Sequence, residues 1–403
     1  MSEAPENGAG EVPGETGSPE PAEGPGEPET AAPAEEADES FAEPEPVVAA
    51  ARGKSPWWAK TMVVVGVLLM LAAGGAVYAA RTLTGHVNDA VAQENLLGET
   101  AVKTGVDYVS TDGPLNFLMI GTDSRDTLNA DAEARTDTIM VLHIPKGLQR
   151  AYLVSIPRDL WVPIKRCYED QSPCEQRVNA AYVFGGETRA ERFKLLAETV
   201  SDLTGLKFDG AAIINFNSFK EVVDLVGGVE LCLEDDLTSI HSYKTFKKGC
   251  ETYGPVDALD IVRQRNYPDG DFQRQRTQQQ FVKSLLKRAE DEGYLSDFGK
   301  ITALIDKVGA TLTVQCPTGM LPTDVAYTLR GIKPGAMTTV RVPAYPTWMG
   351  DASVLMAEPG AKDLWAALRA DDMAEFLGTH PELINKDPGE QPKTGEDENR
   401  GGR

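Results

Sequence analysis

Residues 115–121 read LNFLMIG: six residues, five of them apolar, stopped by a glycine. The run is too short for a buried helix and has the length of a strand buried on both faces. Working outward, residues 136–144 (TDTIMVLHI) and 150–156 (RAYLVSI) repeat the pattern, and 206–216 (LKFDGAAIINF) contains a fourth strand. Between and after them lie segments of helical period. These are 187–205 (ETRAERFKLLAETVSDLTG, with a glycine past its end), 218–228 (SFKEVVDLVGG, with Ser218 as N-cap) and 277–293 (TQQQFVKSLLKRAEDEG). Residues 298–309 and 324–332 extend the helices, and 337–344 adds a strand. Strands alternating with helices predict an α/β fold, a central mixed β-sheet flanked by helices, forming one domain over 114–380. Residues 82–113 read as a stalk and lead-in with a short helix at 87–97, and 381–403 as a disordered polar tail.

The N-terminal part differs in composition. Of the formal net charge of −23, fourteen negative charges fall in residues 1–50, which contain no Lys or Arg, nine prolines and one aromatic residue, Phe41. Such a segment buries too little apolar surface to offset its ordering entropy, so 1–55 reads as a disordered, acidic, proline-rich tail. The remaining −9 has no broad basic face, which argues against a nucleic-acid partner. Residues 61–80 carry no charge over twenty positions, about 30 Å of helix and the thickness of a bilayer core. With Trp57 and Trp58 at its edge, 57–80 reads as a single transmembrane helix. Arg52, Lys54 and Lys60 precede it, which places the N-terminus in the cytoplasm and the domain outside the cell. A cleaved signal peptide is the competing reading, but its charged leader and apolar core are both too long.

Five cysteines suit an extracellular domain. Cys167 and Cys174 lie close together in sequence, as do Cys232 and Cys250, and disulfides within each pair are expected, leaving Cys316 unpaired. Five free thiols are the alternative. The spacings do not resemble a zinc site.

Chemistry gathers at the strand ends, where α/β sheets place their sites. GTDSRD (121–126) follows the first strand, RTDT (135–138) opens the second and SIPRDL (155–160) closes the third. Further on, VRQRNYPDGDFQRQR (262–276) packs four arginines into fifteen residues of an acidic chain. On an extended segment Arg263 and Arg265 project to one side, while Arg274 and Gln278 share a helix face. Converging arginines repel unless an anion lies among them, and guanidinium forks suit phosphate. Paired carboxylates suit Mg²⁺, which takes one or two of them alongside phosphate oxygens and water. Each motif alone reads equally as a solvated ion pair; four in order along one domain point to phosphoryl chemistry. Arg125, Asp126, Asp159, Asp269, Asp271 and Arg276 read as surface pairs or turn residues, His143 as structural, and Asn179 as either a turn amide or a substrate contact. No Walker loop, nucleophile elbow or dinucleotide fingerprint occurs.

The motifs FLMIGTDSR, RTDTIMVLHI, LVSIPRDLWV, VNAAYVFGG, FNSFKEVVDLVGGVEL and VRQRNYPDGDFQRQRTQQQ, in this order between Leu115 and Ala289, resemble the LytR-CpsA-Psr family of bacterial cell-envelope proteins. The resemblance implies a phosphotransferase that moves a glycopolymer from a polyprenyl-pyrophosphate carrier to a peptidoglycan hydroxyl and releases polyprenyl phosphate. It implies Asp123 and Asp137 as metal-linked acids holding Mg²⁺, and Arg158, Arg263 and Arg265 as ligands of the pyrophosphate. Arg135, Arg274 and Gln278 match polar positions of the same pocket. An apolar cleft between sheet and helices is expected for the prenyl tail, and membrane lipid as a partner. Thr277 stands where many members carry an arginine, which weakens any role for the displaced Arg276. A prenyl-pyrophosphate hydrolase and a non-catalytic receptor for lipid-linked wall precursors are the rival readings. Asp137 is a candidate acceptor for the hydroxyl proton.

Overall fold

The computed structural model describes residues 88–89, 91–102, 114–123, 136–167, 171–267, 269–309 and 312–386. In chain order it runs β1 (Ala92–Gln93), β2 (Leu115–Thr122), β3 (Thr136–Ile144), β4 (Ala151–Ile156), β5 (Trp161–Cys167), β6 (Ser172–Arg177), α1 (Ala180–Phe184), α2 (Arg189–Thr204), β7 (Gly210–Ile214), α3 (Phe216–Leu225) and β8 (Val229–Leu233). It continues with β9 (Leu237–Thr238), β10 (Thr245–Phe246), β11 (Gly249–Tyr253), α4 (Pro255–Val262), α5 (Gly270–Asp291), α6 (Phe298–Gly309), β12 (Leu312–Gln315) and α7 (Pro322–Leu329). β13 (Met337–Arg341), β14 (Ala344–Met349), β15 (Ala352–Ala357), α8 (Gly360–Ala370) and α9 (Met373–Thr379) complete it.

Seven strands form one mixed sheet in the order β1-β12-β7-β2-β3-β4-β13. β2 runs parallel to β7 and antiparallel to β3, and β4 runs antiparallel to β3 and parallel to β13. Alternation along β2 sends Leu118 and Ile120 to one face, where Phe193, Leu196 and Val200 of α2 and Leu364 and Trp365 of α8 cover them. Phe117 and Met119 go to the other, against Val282 and Leu286 of α5. Beyond α5, a further apolar cluster joins α3, β8 and α4. The expected mixed sheet between helical layers is therefore present.

Local chemistry explains the element ends. α2 begins in a capping box between Thr188 and Glu191 and ends at Gly205, whose φ of 70° is a left-handed conformation that glycine adopts without steric cost. α3 is capped by Asn215, whose side chain accepts from the amides of Asn217 and Ser218; Ser218, expected as the cap, instead completes the box from the third helical position. α5 is anchored by one buried amide. Gln279 donates to the carbonyls of Leu153 at 3.0 Å and Val340 at 2.9 Å, on β4 and β13, and accepts from Asn385 at 2.6 Å.

Three expected boundaries move. Of the short helix expected over 87–97, Asn88 and Asp89 are helical, but residues 91–97 are not. Ala92–Gln93 pair with β12, and the amides of Leu96 and Leu97 donate to Gln315 Oε1 at 2.7 and 2.8 Å with both side chains fully buried. The described part of the expected stalk, 91–102, thus belongs to the domain. The polar tail expected from 381 starts later: Pro381–Leu383 form a 3-10 turn, Leu383 is buried and Ile384 bridges Val340. α5 starts at Gly270, seven residues before 277, so the helix that carries Arg274 and Gln278 also takes in Asp271. Disulfides join Cys167 to Cys174 and Cys232 to Cys250, and Cys316 is a half-buried free thiol whose pKa burial pushes up to about 11. The N-terminal tail and the 57–80 span lie outside the described residues; no described helix is long and apolar enough to cross a membrane.

Candidate active site

A cavity of about 220 Å³ opens where β2 and β7 end and β3 begins, beneath α3, α4 and α5. Most of its wall is apolar: Met119, Met140, Ile214, Phe216, Phe219, Leu259, Phe281, Val282 and Leu285. The rings of Phe219 and Phe281 stack against each other at 4.1 Å within this wall. This is the apolar cleft expected between sheet and helices. Its remaining wall is polar and carries Asp123, Asp137, Asn215, Arg263, Arg274 and Gln278.

Asp137, the second residue of β3, is the hub. Arg158, just past β4, donates to Asp137 Oδ1. Arg265 reaches both carboxylate oxygens at 2.9 Å, and Arg274 donates to the Asp137 backbone carbonyl at 3.2 Å. Burial pushes the Asp137 carboxyl up, but Arg158, Arg265 and Arg274 together overcome it and hold the group below the usual carboxylate range. Arg158 also lies 3.3 Å from Asp159 and 3.8 Å from Asp271.

Asp271, read as a turn or surface residue, is instead part of this cluster. It sits in the first turn of α5, pairs with the buried Arg274 three residues on, and faces Arg158. The four-residue extension of α5 beyond the arginine pair hid it, because the helix was expected to begin at 277. Asp159 likewise belongs to the network, bridging Arg158 to Arg177 at 3.5 Å.

Arg263 and Arg265 do not share a side. Arg263 ends α4 with helical backbone angles (φ −98°, ψ −1°), so the two-residue alternation of an extended segment does not apply. Between them Gln264 is fully buried and bonded to Ser239, Asp260 and the Ile240 amide. Arg265 turns to Asp137, while Arg263 lies 3.7 Å from Asp260 and 5.8 Å from the Phe216 ring centroid, on the cavity wall. Gln278 shares that wall with Arg274, one turn apart on α5 as their spacing required, and donates to the Val262 carbonyl at 3.3 Å.

Other expected residues fall elsewhere. Asn179 precedes α1 and its amide donates to the Arg158 carbonyl at 3.2 Å, but it is not among the residues lining the cavity. Arg276 pairs with Asp269 at 2.6 Å and lies 3.8 Å from Glu234, on the opposite side of α5. His143 is buried between Asn116 and Asp371, as a structural histidine should be. Arg135, Arg125 and Asp126 lie outside the described residues.

The guanidinium groups of Arg263 and Arg274 on the polar wall suit an anion. Positive charge beside a long apolar cavity suits an amphiphile with an anionic head.

The LytR_cpsA_psr family model matches residues 81–370. LcpA, named as a cell wall biosynthesis protein, of Corynebacterium glutamicum is 29% identical over 324 residues, covering 72% of this chain. The chain spans 60% of LcpA's length. TagU of Bacillus cereus, named as a polyisoprenyl-teichoic acid–peptidoglycan teichoic acid transferase, is 28% identical over 246 residues, 60% of this chain and 76% of TagU. The solved structure of TagT bound to LIIa-WTA superposes with a TM-score of 0.53 at 19% identity, covering 68% of this chain and 96% of TagT; it shares the fold. A family match over most of the described domain, on a sheet of the same architecture, shows that the chain belongs to the LytR_cpsA_psr family.

Proposed function

We propose that this protein is a phosphotransferase that moves a glycopolymer from a polyprenyl-pyrophosphate carrier to a hydroxyl of peptidoglycan, releasing polyprenyl phosphate. The observation that carries the reading is the cavity itself: an apolar wall for a prenyl chain, ending at the guanidinium groups of Arg263 and Arg274. The name of TagU, a teichoic acid transferase to peptidoglycan, supports the choice of acceptor.

In this scheme the prenyl chain lies along Met119, Met140, Phe219, Phe281 and Leu285, and the pyrophosphate meets Arg263 and Arg274. Arg158 and Arg265 shift from Asp137 toward the phosphates as negative charge grows on the leaving group. The acceptor oxygen bonds to the sugar-linked phosphorus, the bond from that phosphorus to the bridging oxygen breaks, polyprenyl phosphate leaves with the electron pair, and the hydroxyl proton is released.

The donor set fits Mg²⁺. Asp123 and Asp137 line the same cavity and supply the two carboxylates that this ion takes alongside phosphate oxygens and water. Asp123 and Asp137 would hold the ion, which would supply positive charge against the pyrophosphate. Location at the cell membrane with this domain outside follows from the same reading.

The test mixes the chain with a labelled lipid-pyrophosphate glycan and soluble peptidoglycan fragments, in Mg²⁺ or EDTA. Label reaching peptidoglycan only with Mg²⁺ upholds the proposal. Cleaved lipid without labelled acceptor supports a hydrolase instead, and intact bound lipid under every condition supports a receptor.

A further inference from the structure

The hairpin β14–β15 has no assigned role. It turns through Gly350, whose φ of 59° fits the first central position of a two-residue hairpin loop, with open space around it. Near its tip Trp348 is 69% exposed.

The register says where this ring stands. Trp348 pairs with Ser353 and Pro346 with Leu355, so Trp348 and Leu355 share one face of the hairpin. The inner end of that face is fixed to the site: Leu355 bridges Leu160, and its amide donates to the Asp159 carbonyl at 2.9 Å. At the outer end the carbonyl of Ser353 accepts from Arg177 at 2.9 Å. Arg177 lies 3.5 Å from Asp159, Asp159 3.3 Å from Arg158, and Arg158 bonds Asp137. A line of alternating guanidinium and carboxylate groups therefore runs from beside the indole to the hub of the site. Tyr345 is also exposed, but by the same alternation it belongs to the opposite face.

We propose that Trp348, with Arg177 and Asp159, binds the saccharide strand of the acceptor and leads its hydroxyl toward Asp137; this rests on the transfer reading above. A pyranose has a flat C–H face that stacks on an indole and a rim of hydroxyls that planar guanidinium and carboxylate groups bond in pairs. The chemistry of the hairpin separates this occupant from a bilayer. Its sole charge across 344–357 is Asp351, at the turn, and an anionic lipid surface attracts Lys and Arg instead.

The experiment measures binding, which is independent of turnover. The chain and its Trp348→Ala, Trp348→Phe and Tyr345→Ala variants are titrated with soluble peptidoglycan glycan fragments, with a lipid-pyrophosphate glycan and with phosphatidylglycerol vesicles. The expected result is a loss of about tenfold or more in affinity for the glycan fragments in Trp348→Ala. Trp348→Phe recovers most of it, Tyr345→Ala matches the parent, and lipid-pyrophosphate affinity stays within about twofold throughout. Unchanged glycan affinity in Trp348→Ala overturns the inference while leaving the transfer reading intact. Loss of vesicle binding in place of glycan binding also overturns it, and identifies a membrane contact. Glycan binding that needs Trp348 in a chain that transfers nothing upholds the saccharide platform and removes the transferase.

Discussion

Arg265 grips both oxygens of Asp137 at 2.9 Å although 128 residues separate them. The contact joins the arm after α4 to the start of β3, and it sets a half-exposed guanidinium against Asp137, which lines the cavity. Because Arg265 is so exposed, its ion pair contributes little to stability. Arg265→Ala is therefore expected to leave the melting temperature within about 2 °C and to lower transfer by roughly 10²–10³-fold, the scale of losing one preorganised donor. A melt that collapses with activity refutes this division of labour.

Arg274 behaves differently. It is almost wholly buried, paired with Asp271 and bonded to the Asp137 carbonyl. Arg274→Ala empties a buried site and removes the main partner of Asp271 and the donor to the Asp137 carbonyl, and a loss of about 3 kcal/mol or more in unfolding free energy is expected by denaturant titration. Asp271→Asn keeps the shape and part of the hydrogen bonding, so its stability loss should be smaller while transfer still falls. Equal stability in Arg274→Ala and the parent contradicts the buried pair.

The apolar wall makes a separable prediction. Val282→Trp adds volume beside Phe281 and Met140 in the cavity. Affinity for a long-chain prenyl-pyrophosphate glycan is expected to fall by about tenfold or more. A water-soluble short-chain analogue should bind as before. Equal losses for both ligands place the prenyl chain somewhere else.

His143 supplies a pH signature of folding. It is fully buried on β3, and desolvation lowers its pKa below the ordinary 6.5 even though Asp371 pulls the other way. A folded pKa below the unfolded one means that the unfolded chain takes up the proton more readily. Its contribution is therefore present above pH 6.5 and is lost as pH falls from there through the folded value. The melting temperature of the parent should drop across that window, and the parent-minus-His143→Gln difference should shrink. A difference that is flat between pH 7.5 and about 5 disproves the assignment.

The disulfide between Cys232 and Cys250 closes a loop with a sequence separation of 18, worth about 3 kcal/mol in the chain-entropy account. Its strands β8 and β11 cover α4 and so support the arginine arm. Reduction, or the Cys232→Ser and Cys250→Ser double variant, is expected to lower the denaturation midpoint. Removing the Cys167–Cys174 bridge, with its separation of 7, should cost less.

Much of this was legible in the sequence where one physical signal dominated. β2, β3 and β4 follow their apolar runs, because strands buried on both faces leave no room for polar residues. Arg158, Arg274, Gln278, Asp123 and Asp137 stood out by residue type at strand ends and at helical spacing, and the cavity and its hub gather them. Asp271 and Asp159 did not stand out, since a surface ion pair and a network member read alike until the partner's position is known. The separation of Arg263 from Arg265 depended on Gln264, whose burial is set by Ser239 and Asp260 across the fold. Trp348 carried no pattern at all, because two short strands of mixed polarity look like loop. β1 failed for the opposite reason: helical spacing was present, and a distant glutamine outbid it for two amides.

Gln279 ties these observations to time. The helix that carries Arg274 and Gln278 is docked by an amide whose last partner, Asn385, lies 106 residues further along the chain. Until that asparagine has been made and brought back, the docking amide is short of one bond and the strand β13 beneath it is absent or newly formed. The machinery at the cavity is therefore among the last parts of the domain to settle during synthesis, and an interrupted chain carries the arginines without a floor to hold them in place.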